Sequence, residues 1–472
     1  MSIKKEILSG TLFTAVSKYT YIFISLVVTA ILARILTPED FGTIAIATVL
    51  IAFINLFCDM GFGPAIIQNK DLTDEDVNNI FTYSMILACV LALALYFSSQ
   101  YISRFYDQDS LMNVCKLLSI NIFFTALNIV PKSLILKNKE FKFIAKRNVI
   151  VNILLGFISV IAAYLGMGIY SLLVNPIGSS IIMFFINFKR VKIKISISLS
   201  ITSIKKIISF STYQFLFNFI NYFSRNLDQL LIGKFIGLTS LGLYEKSYRL
   251  MQQPIGNIAN VLTPVMHPIL SEFQSQREKL LDYTKKITSL LALVGFCITP
   301  FLFFMADELI MIVFGKDWVD SIPVFRILSL SVCFQMINSA TGSILQSGNG
   351  SKLLFLSGLI NSLLNVVGIL IGVLYYGEIE NVAVFIVVTF GLNLLVSYYF
   401  IYSVMFKCSV WNELIKLLKP LTYALVISII LYFVGELNLT FFKGLLVKGG
   451  VGIIFLLGIY KMSLKQLLRF KN

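Results

Sequence analysis

Apolar stretches of about 20 residues recur along the whole chain, and each is long enough to cross a bilayer as a helix. Charged residues make up 13% of the 472 residues and hydrophobic residues 57%, which leaves little polar sequence for a separate soluble domain. The predicted fold is an all-α polytopic membrane protein with about 14 transmembrane helices. The predicted spans lie near 11–33, 41–64, 79–100, 111–134, 147–166, 168–188, 208–232, 244–268, 287–306, 322–345, 353–376, 381–405, 416–435 and 444–461.

The net charge of +15 is spread over short basic clusters between apolar segments, and not along one face. Such clusters are typical of membrane topology signals, so no nucleic-acid partner is expected. The six cysteines are scattered and lack CxxC spacing, which argues against disulfides and metal sites. The segment SGNGSK near Lys352 lacks the spacing of a phosphate-binding loop. We therefore expect no ATP hydrolysis, no cofactor and no metal.

Two basic clusters set the expected orientation, one after the fourth predicted span and one after the sixth. Roughly 27 of the Lys and Arg residues lie on the side of the N-terminus and about 8 on the other, so this side is expected to be cytoplasmic. An even number of spans then places both termini in the cytoplasm. The clusters comprise Lys132, Lys137, Lys139, Lys142, Lys146 and Arg147, and Lys189, Arg190, Lys192, Lys194, Lys205 and Lys206.

An internal repeat with an offset of about 200 residues aligns ILARILTPEDFG, from Ile31, with LIGKFIGLTSLG, from Leu231. Gly42 then corresponds to Gly242. The match predicts two six-helix lobes related by a pseudo-twofold axis, followed by two further helices; chance similarity between two apolar helix ends is the alternative. The predicted domains are an N-lobe at 1–190, a cytoplasmic linker at 191–207, a C-lobe at 208–405, and a terminal helix pair with a cytoplasmic tail at 406–472.

Six polar residues of the seventh predicted span recur at steps of three and four, so they lie on one helical face that lipid cannot cover. A seam between helices, joined by polar contacts, is one explanation. The two charged members favour a water-filled pathway in which they partly pair, because an unpaired charge inside a membrane is costly. These residues are Ser211, Gln214, Asn218, Asn221, Arg225 and Asp228.

The first predicted span repeats this face, because Thr14, Lys18, Tyr21 and Ser25 precede four of those residues by 200 positions. We therefore expect both repeats to direct a polar, basic face into a substrate-binding cavity. The alternative for Lys18 is snorkelling to the cytoplasmic surface.

Two further charges are predicted inside spans. Arg326 in the tenth span is a candidate for the cavity lining, and Asp59 in the second, like Asp228, is a candidate for ion coupling or a structural pair. A structural ion pair is the alternative for Arg326 as well.

Three segments carry a resemblance to a known family: LARILTPEDFG from Leu32, DMGFGPAIIQ from Asp59, and RNLDQLLIGKFIGLTSLGLYEKSYRL from Arg225. Together with the span pattern, they resemble the polysaccharide transporter family. More specifically, they resemble the fourteen-span branch of the Wzx-type O-antigen, capsule and exopolysaccharide flippases, within the multidrug/oligosaccharidyl-lipid/polysaccharide flippase superfamily. The resemblance implies two lobes around a central cavity that opens alternately to each side and is lined by the first and seventh helices.

The resemblance also implies a function. It is the translocation of undecaprenyl-diphosphate-linked oligosaccharide repeat units from the cytoplasmic to the periplasmic leaflet of the bacterial inner membrane, by a transporter and not an enzyme. Expected partners are this glycan, the lipid bilayer, and the polymerase and chain-length regulator of the pathway. The alternatives are a cation-coupled multidrug exporter of the same superfamily, which would favour an acidic cavity, a membrane-embedded glycan polymerase or ligase, and a structural partner in an export complex.

Overall fold

The structure, a computed structural model, describes residues 3–59, 62–69, 71–191, 193–195, 219, 222–223, 225–437, 441, 443–452 and 455. All regular secondary structure in these ranges is helical, which confirms the predicted all-α class. The chain forms two compact units, Met1–Gly242 and Leu243–Asn472. The domain boundaries predicted from the sequence stay a prediction.

Within the described residues, nine helices are long and apolar enough to cross a membrane. They coincide with predicted spans two to six, nine, and eleven to thirteen. A polytopic membrane protein is therefore confirmed. The nine are Pro38–Cys58, Asp74–Tyr106, Asp109–Lys137, Phe141–Tyr164, Gly168–Val191, Arg277–Phe304, Ser351–Tyr376, Ile379–Met405 and Val410–Glu436.

The other five predicted spans do not coincide with one of these nine helices. The first corresponds to the helix Ile3–Leu32 and the eighth to Leu238–Ser271. The tenth is a broken pair, Ser321–Ser329 and Val332–Ser347, bent by 45°. The seventh is described only at 219, 222–223 and 225–232, and the fourteenth at 444–452 and 455; all of these residues are helical.

In the N-terminal unit, eight helices and the start of a ninth have described bounds, and residues 225–235 are helical as well. Thr37 explains where the second begins, because its backbone N–H donates to Asp40 Oδ2 at 3.0 Å and the Asp40 N–H donates to Thr37 Oγ1 at 3.3 Å. Thr73 and Asp76 form the same capping box before the fourth. The helices are α1 (Ile3–Leu32), α2 (Pro38–Asp59), α3 (Phe62–Gln68), α4 (Asp74–Tyr106), α5 (Asp109–Leu127), α6 (Ile129–Lys137), α7 (Phe141–Tyr164), α8 (Val174–Val191) and α9 (Leu238–Ser271), with a 3-10 turn Gly168–Leu173 before α8.

In the second unit, the helix Arg277–Phe304 packs against Val332–Asn338 and against Leu418–Glu436, the latter around a core that includes Leu293 and Ile427. The 3-10 turn Lys316–Trp318 precedes the helix Ser321–Ser329, and the π-helical turns Ile371–Tyr376 and Tyr399–Met405 each continue the helix before them. The helices are α10 (Arg277–Phe304), α11 (Ala306–Val313), α12 (Ser321–Ser329), α13 (Val332–Asn338), α14 (Thr341–Ser347), α15 (Ser351–Leu370), α16 (Ile379–Tyr398), α17 (Val410–Ile415) and α18 (Leu418–Glu436).

The first turns of α2 and α9 meet at the two glycines that the sequence repeat pairs. A Cβ atom on Gly42 would overlap the carbonyl oxygen of Leu238, and one on Gly242 would overlap that of Pro38. Each added Cβ would also lie 3.1 Å from the backbone nitrogen of the other glycine. Because the contact is reciprocal, the fifth residue of each helix faces the first residue of the other. Glycine permits this close approach of two backbones, and the geometry supports the predicted repeat at this point.

Candidate functional site

A cavity of about 810 Å³ lies within the N-terminal unit, between α1, α2, α5, α6, α7 and α8. This volume is in the range of pockets that bind small organic ligands. Its walls carry many polar side chains, although they belong to apolar helices. The polar residues in the walls are Ser17, Lys18, Tyr21, Asn55, Asn121, Thr125, Asn128, Asn148, Asn152, Ser179 and Ser180.

Helix α1 contributes two of the predicted site residues to this cavity. Lys18 and Tyr21 lie in the wall, three residues apart on one helical face, and Lys18 is half-buried. Beside them, the Ser17 hydroxyl donates to the carbonyl oxygen of Ala145 at 3.5 Å. Ser25, one turn further along α1, is half-buried outside the cavity wall. Two residues of the predicted face, Lys18 and Tyr21, therefore lie in the cavity wall.

Five asparagines in the wall were missed by the sequence reasoning, and one of them, Asn55, lies on α2. Two come from α7, Asn148 and Asn152, which are one helical turn apart. Asn121, Thr125 and Asn128 follow each other at steps of four and three, from α5 to the start of α6. This is the spacing that singled out the seventh span, so the signal was available in the sequence.

Arg147 corrects one expectation from the sequence. It was assigned to a basic cytoplasmic loop, but it lies in the second turn of α7 and is only 8% exposed. Its guanidinium donates to Asn148 Oδ1 from Nε at 3.2 Å and from Nη2 at 2.8 Å, and its Nη1 donates to Asn187 Oδ1. The side-chain amide of Asn187 in turn donates to Asn128 Oδ1 at 2.7 Å. Arg147 is therefore a buried cation next to the cavity wall. It contacts the wall residue Asn148 directly and the wall residue Asn128 through the side-chain amide of Asn187.

Comparison with known families agrees with this architecture. The model of a family described as polysaccharide biosynthesis protein matches residues 31–323, which is more than half of the 472 residues. The chain belongs to this family. The family expected from the sequence is confirmed.

Relatives with names from polysaccharide biosynthesis have low sequence identity to this chain, but the similarity covers most of its length. The chain is 25% identical to the teichuronic acid biosynthesis protein TuaB of Bacillus subtilis over 75% of its own length and 74% of the relative. It is 23% identical to the lipopolysaccharide biosynthesis protein WzxC of Escherichia coli over 92% of this chain and 89% of that protein. The fold resembles that of the lipid II flippase MurJ in an inward closed conformation, with a TM-score of 0.76, 18% identity, and coverage of 97% of this chain and 100% of MurJ.

The predicted residues of the seventh span are only partly described in this member of the polysaccharide biosynthesis family. Gln214, Asn218 and Asn221 lie outside the described residues. Arg225 is exposed, whereas Asp228 is 6% exposed and its Oδ1 accepts the backbone N–H of Gln229 at 2.8 Å. The proposed pairing of Arg225 with Asp228 stays a prediction.

Arg326 lies in α12, where its guanidinium pairs with Asp307, and both side chains are partly exposed. This ion pair corresponds to the structural role that the sequence left open, and a contact between Arg326 and substrate stays a prediction. Asp59 is the last residue of α2, and its side chain lies outside the described part of the chain.

Proposed function

We propose that this protein is a flippase that moves undecaprenyl-diphosphate-linked oligosaccharide repeat units from the cytoplasmic to the periplasmic leaflet by alternating access, for the biosynthesis of a surface polysaccharide. The observation that carries the proposal is the cavity in the N-terminal unit, where amide and hydroxyl groups and one lysine line a space between apolar helices. A hydrated polar cavity inside membrane helices is typical of a pathway for polar cargo.

The chemistry of the cavity wall suits a glycan attached to a phosphate. Sugar hydroxyls need hydrogen-bonding amides, and Asn55 offers a buried Oδ1 that has no hydrogen-bond partner among the described residues. A diphosphate is best held by lysine or arginine in a partly dehydrated site. In this proposal Lys18 and Arg225 hold the diphosphate alternately, Asp228 restrains Arg225, and the polyprenyl tail remains in the bilayer.

The relatives support the same class of cargo. TuaB is named for teichuronic acid biosynthesis, WzxC for lipopolysaccharide biosynthesis, and MurJ as a lipid II flippase. We propose further that the protein lies in the bacterial inner membrane, with both termini in the cytoplasm as the distribution of Lys and Arg suggests, and that it is a transporter and not an enzyme. It would work beside the polymerase and the chain-length regulator of the pathway.

The rival function is the cation-coupled export of drugs, which favours an acidic cavity. The described residues that line the cavity include Lys18 and neither Asp nor Glu. A wall of this kind attracts anions and repels cationic drugs. The charge of the wall therefore favours the glycan carrier.

Replacing Lys18 with glutamine tests this proposal. We expect translocation of an undecaprenyl-diphosphate-linked oligosaccharide in proteoliposomes to fall about tenfold or more, because a charge-assisted hydrogen bond to phosphate is lost. Lys18→Arg should keep most of the activity. Lys146→Gln is the control, because Lys146 is exposed on α7.

Two results would count against the proposal in different ways. Wild-type activity in Lys18→Gln would remove Lys18 from the binding site. Translocation by the wild-type protein no faster than in protein-free liposomes would refute the flippase function itself.

A further inference from the structure

The amide groups of the cavity wall have fixed orientations, and Arg147 sets two of them. A guanidinium group can only donate hydrogen bonds, so the atom of Asn148 that faces it must be the oxygen. Asn148 Oδ1 accepts from Arg147 Nε at 3.2 Å and from Nη2 at 2.8 Å. Because Asn148 lines the cavity and Arg147 lies behind it, the group that Asn148 has left for the cavity is its NH2.

Arg147 also fixes the orientation of the Asn128 side-chain amide, and it does so through Asn187. Arg147 also donates to Asn187 Oδ1, and Asn187 is fully buried. The NH2 group of Asn187 must then point the other way, and it donates to Asn128 Oδ1 at 2.7 Å. Asn128 lines the cavity, so it too has only its NH2 group left for a ligand. One buried arginine thus turns two amides into hydrogen-bond donors toward the cavity.

Two other asparagines of the wall have the opposite orientation. Asn121 Nδ2 donates to the carbonyl oxygen of Pro176 at 2.6 Å, and Asn152 Nδ2 donates to that of Asn148 at 2.7 Å. A carbonyl oxygen can only accept, so the Oδ1 atoms of Asn121 and Asn152 are left for the cavity. The wall therefore has a donor side, formed by Asn128 and Asn148, and an acceptor side.

Within the described part of the chain, Arg147 behind the donor side has no carboxylate partner. Arg147 is 8% exposed, and among the described residues its hydrogen bonds go to amide oxygens only. Asn148 and Asn187 satisfy the geometry of the guanidinium but carry no negative charge to neutralise it. A buried cation without a counter-ion keeps a positive potential in the adjoining space, which makes binding of an anion there favourable.

We propose that the donor side of this cavity is an oxyanion subsite, in which the NH2 groups of Asn128 and Asn148 bind a carboxylate or phosphate group of the cargo. Arg147 is its positioning residue, because it orients both amides and supplies the positive potential without lining the cavity. The acceptor side receives sugar hydroxyls. This inference rests on the proposed function for the identity of the cargo, whereas anion binding itself is independent of transport.

The test is the isosteric change Asn148→Asp in the purified full-length protein. The new carboxylate would face Arg147 and form an ion pair, so thermal stability should be equal to or higher than that of the wild type. The same change removes the donor and repels an anion. Asn128→Leu removes the second donor without adding charge. Asn138→Asp is the control, because Asn138 is exposed at the end of α6.

Binding is measured by calorimetry with three probes: inorganic pyrophosphate, glucuronate and glucose. We expect pyrophosphate, glucuronate or both to bind the wild-type protein, and to bind at least about tenfold more weakly to Asn148→Asp and Asn128→Leu. Binding to Asn138→Asp and the behaviour of glucose should not change. The anion that binds shows whether the subsite takes the diphosphate or an acidic sugar.

The results that would overturn the oxyanion subsite differ from those that would refute the flippase function. Anion binding that is unchanged in Asn148→Asp, or absent from the wild-type protein, would overturn the subsite even if the wild type translocates its glycan. A wild-type protein that binds anions through Asn148 but translocates no lipid-linked glycan would refute the flippase and leave the subsite standing.

Discussion

Alanine at Gly42 is expected to prevent the N-terminal unit from reaching a stable fold. The added methyl group would overlap the backbone carbonyl of Leu238, and a backbone atom can move only if a whole helix moves. We expect a loss of about 3 kcal/mol or more in stability. The measurement is the thermal stability of the purified protein in detergent. Gly242→Ala should behave alike, because its methyl group would overlap the carbonyl of Pro38.

Gly358→Ala provides the matched control. Gly358 lies in α15, and a Cβ atom there would meet none of the described atoms within 4 Å apart from the backbone of its own helix. Alanine favours a helix over glycine by about 1 kcal/mol, so this variant should be as stable as the wild type or more so. Wild-type stability in Gly42→Ala would mean that α2 and α9 do not cross at these glycines.

The second large effect is expected at a buried ion pair in the C-terminal unit. Lys448 Nζ lies 2.5 Å from Glu308 Oε1 and donates to the carbonyl oxygen of Phe304 at 2.9 Å, and the two side chains are 12% and 9% exposed. Lys448→Met would leave the carboxylate of Glu308 buried without its cation. Removing one partner of such a pair costs about 3–5 kcal/mol, which should appear as a large drop in thermal stability.

The double variant Lys448→Met/Glu308→Gln should recover most of this loss, because no uncompensated charge remains. Lys286→Met is the control, since the pair of Lys286 and Asp282 is partly exposed and contributes about 1 kcal/mol or less. Equal thermal stability of Lys448→Met and Lys286→Met would show that the buried pair of Lys448 and Glu308 contributes no more to stability than the partly exposed pair.

Much of the fold follows from the sequence because one physical requirement dominates it. Backbone groups in lipid must form hydrogen bonds within the chain, so long apolar segments become helices, and their positions follow from hydropathy. The correspondence of Gly42 with Gly242 was also visible in the sequence, because the repeat aligns these glycines. That the two helices meet at these residues could not be anticipated, since it depends on packing.

The site was predicted less well, and Arg147 shows why. It ends a basic run, and hydropathy alone places it at the membrane surface, whereas α7 begins six residues earlier at Phe141. Its buried guanidinium donates to Asn187, which is 40 residues away in the sequence. The amides at 121, 128, 148 and 152 had helical spacing, but which helices enclose one cavity is a property of the tertiary structure.

The most direct test of the central claim is whether lipid-linked glycan passes through the cavity of the N-terminal unit. Ser179 lines this cavity, so Ser179→Trp would fill part of its volume. Phe157→Trp, at a position on α7 that is 66% exposed, is the control. The assay measures access of an external glycosidase to a labelled undecaprenyl-diphosphate-linked oligosaccharide in proteoliposomes.

We predict that the wild-type protein and Phe157→Trp expose the inner-leaflet glycan at equal rates, and that Ser179→Trp reduces the rate to that of protein-free liposomes while remaining folded. Translocation by Ser179→Trp at the wild-type rate would contradict the account.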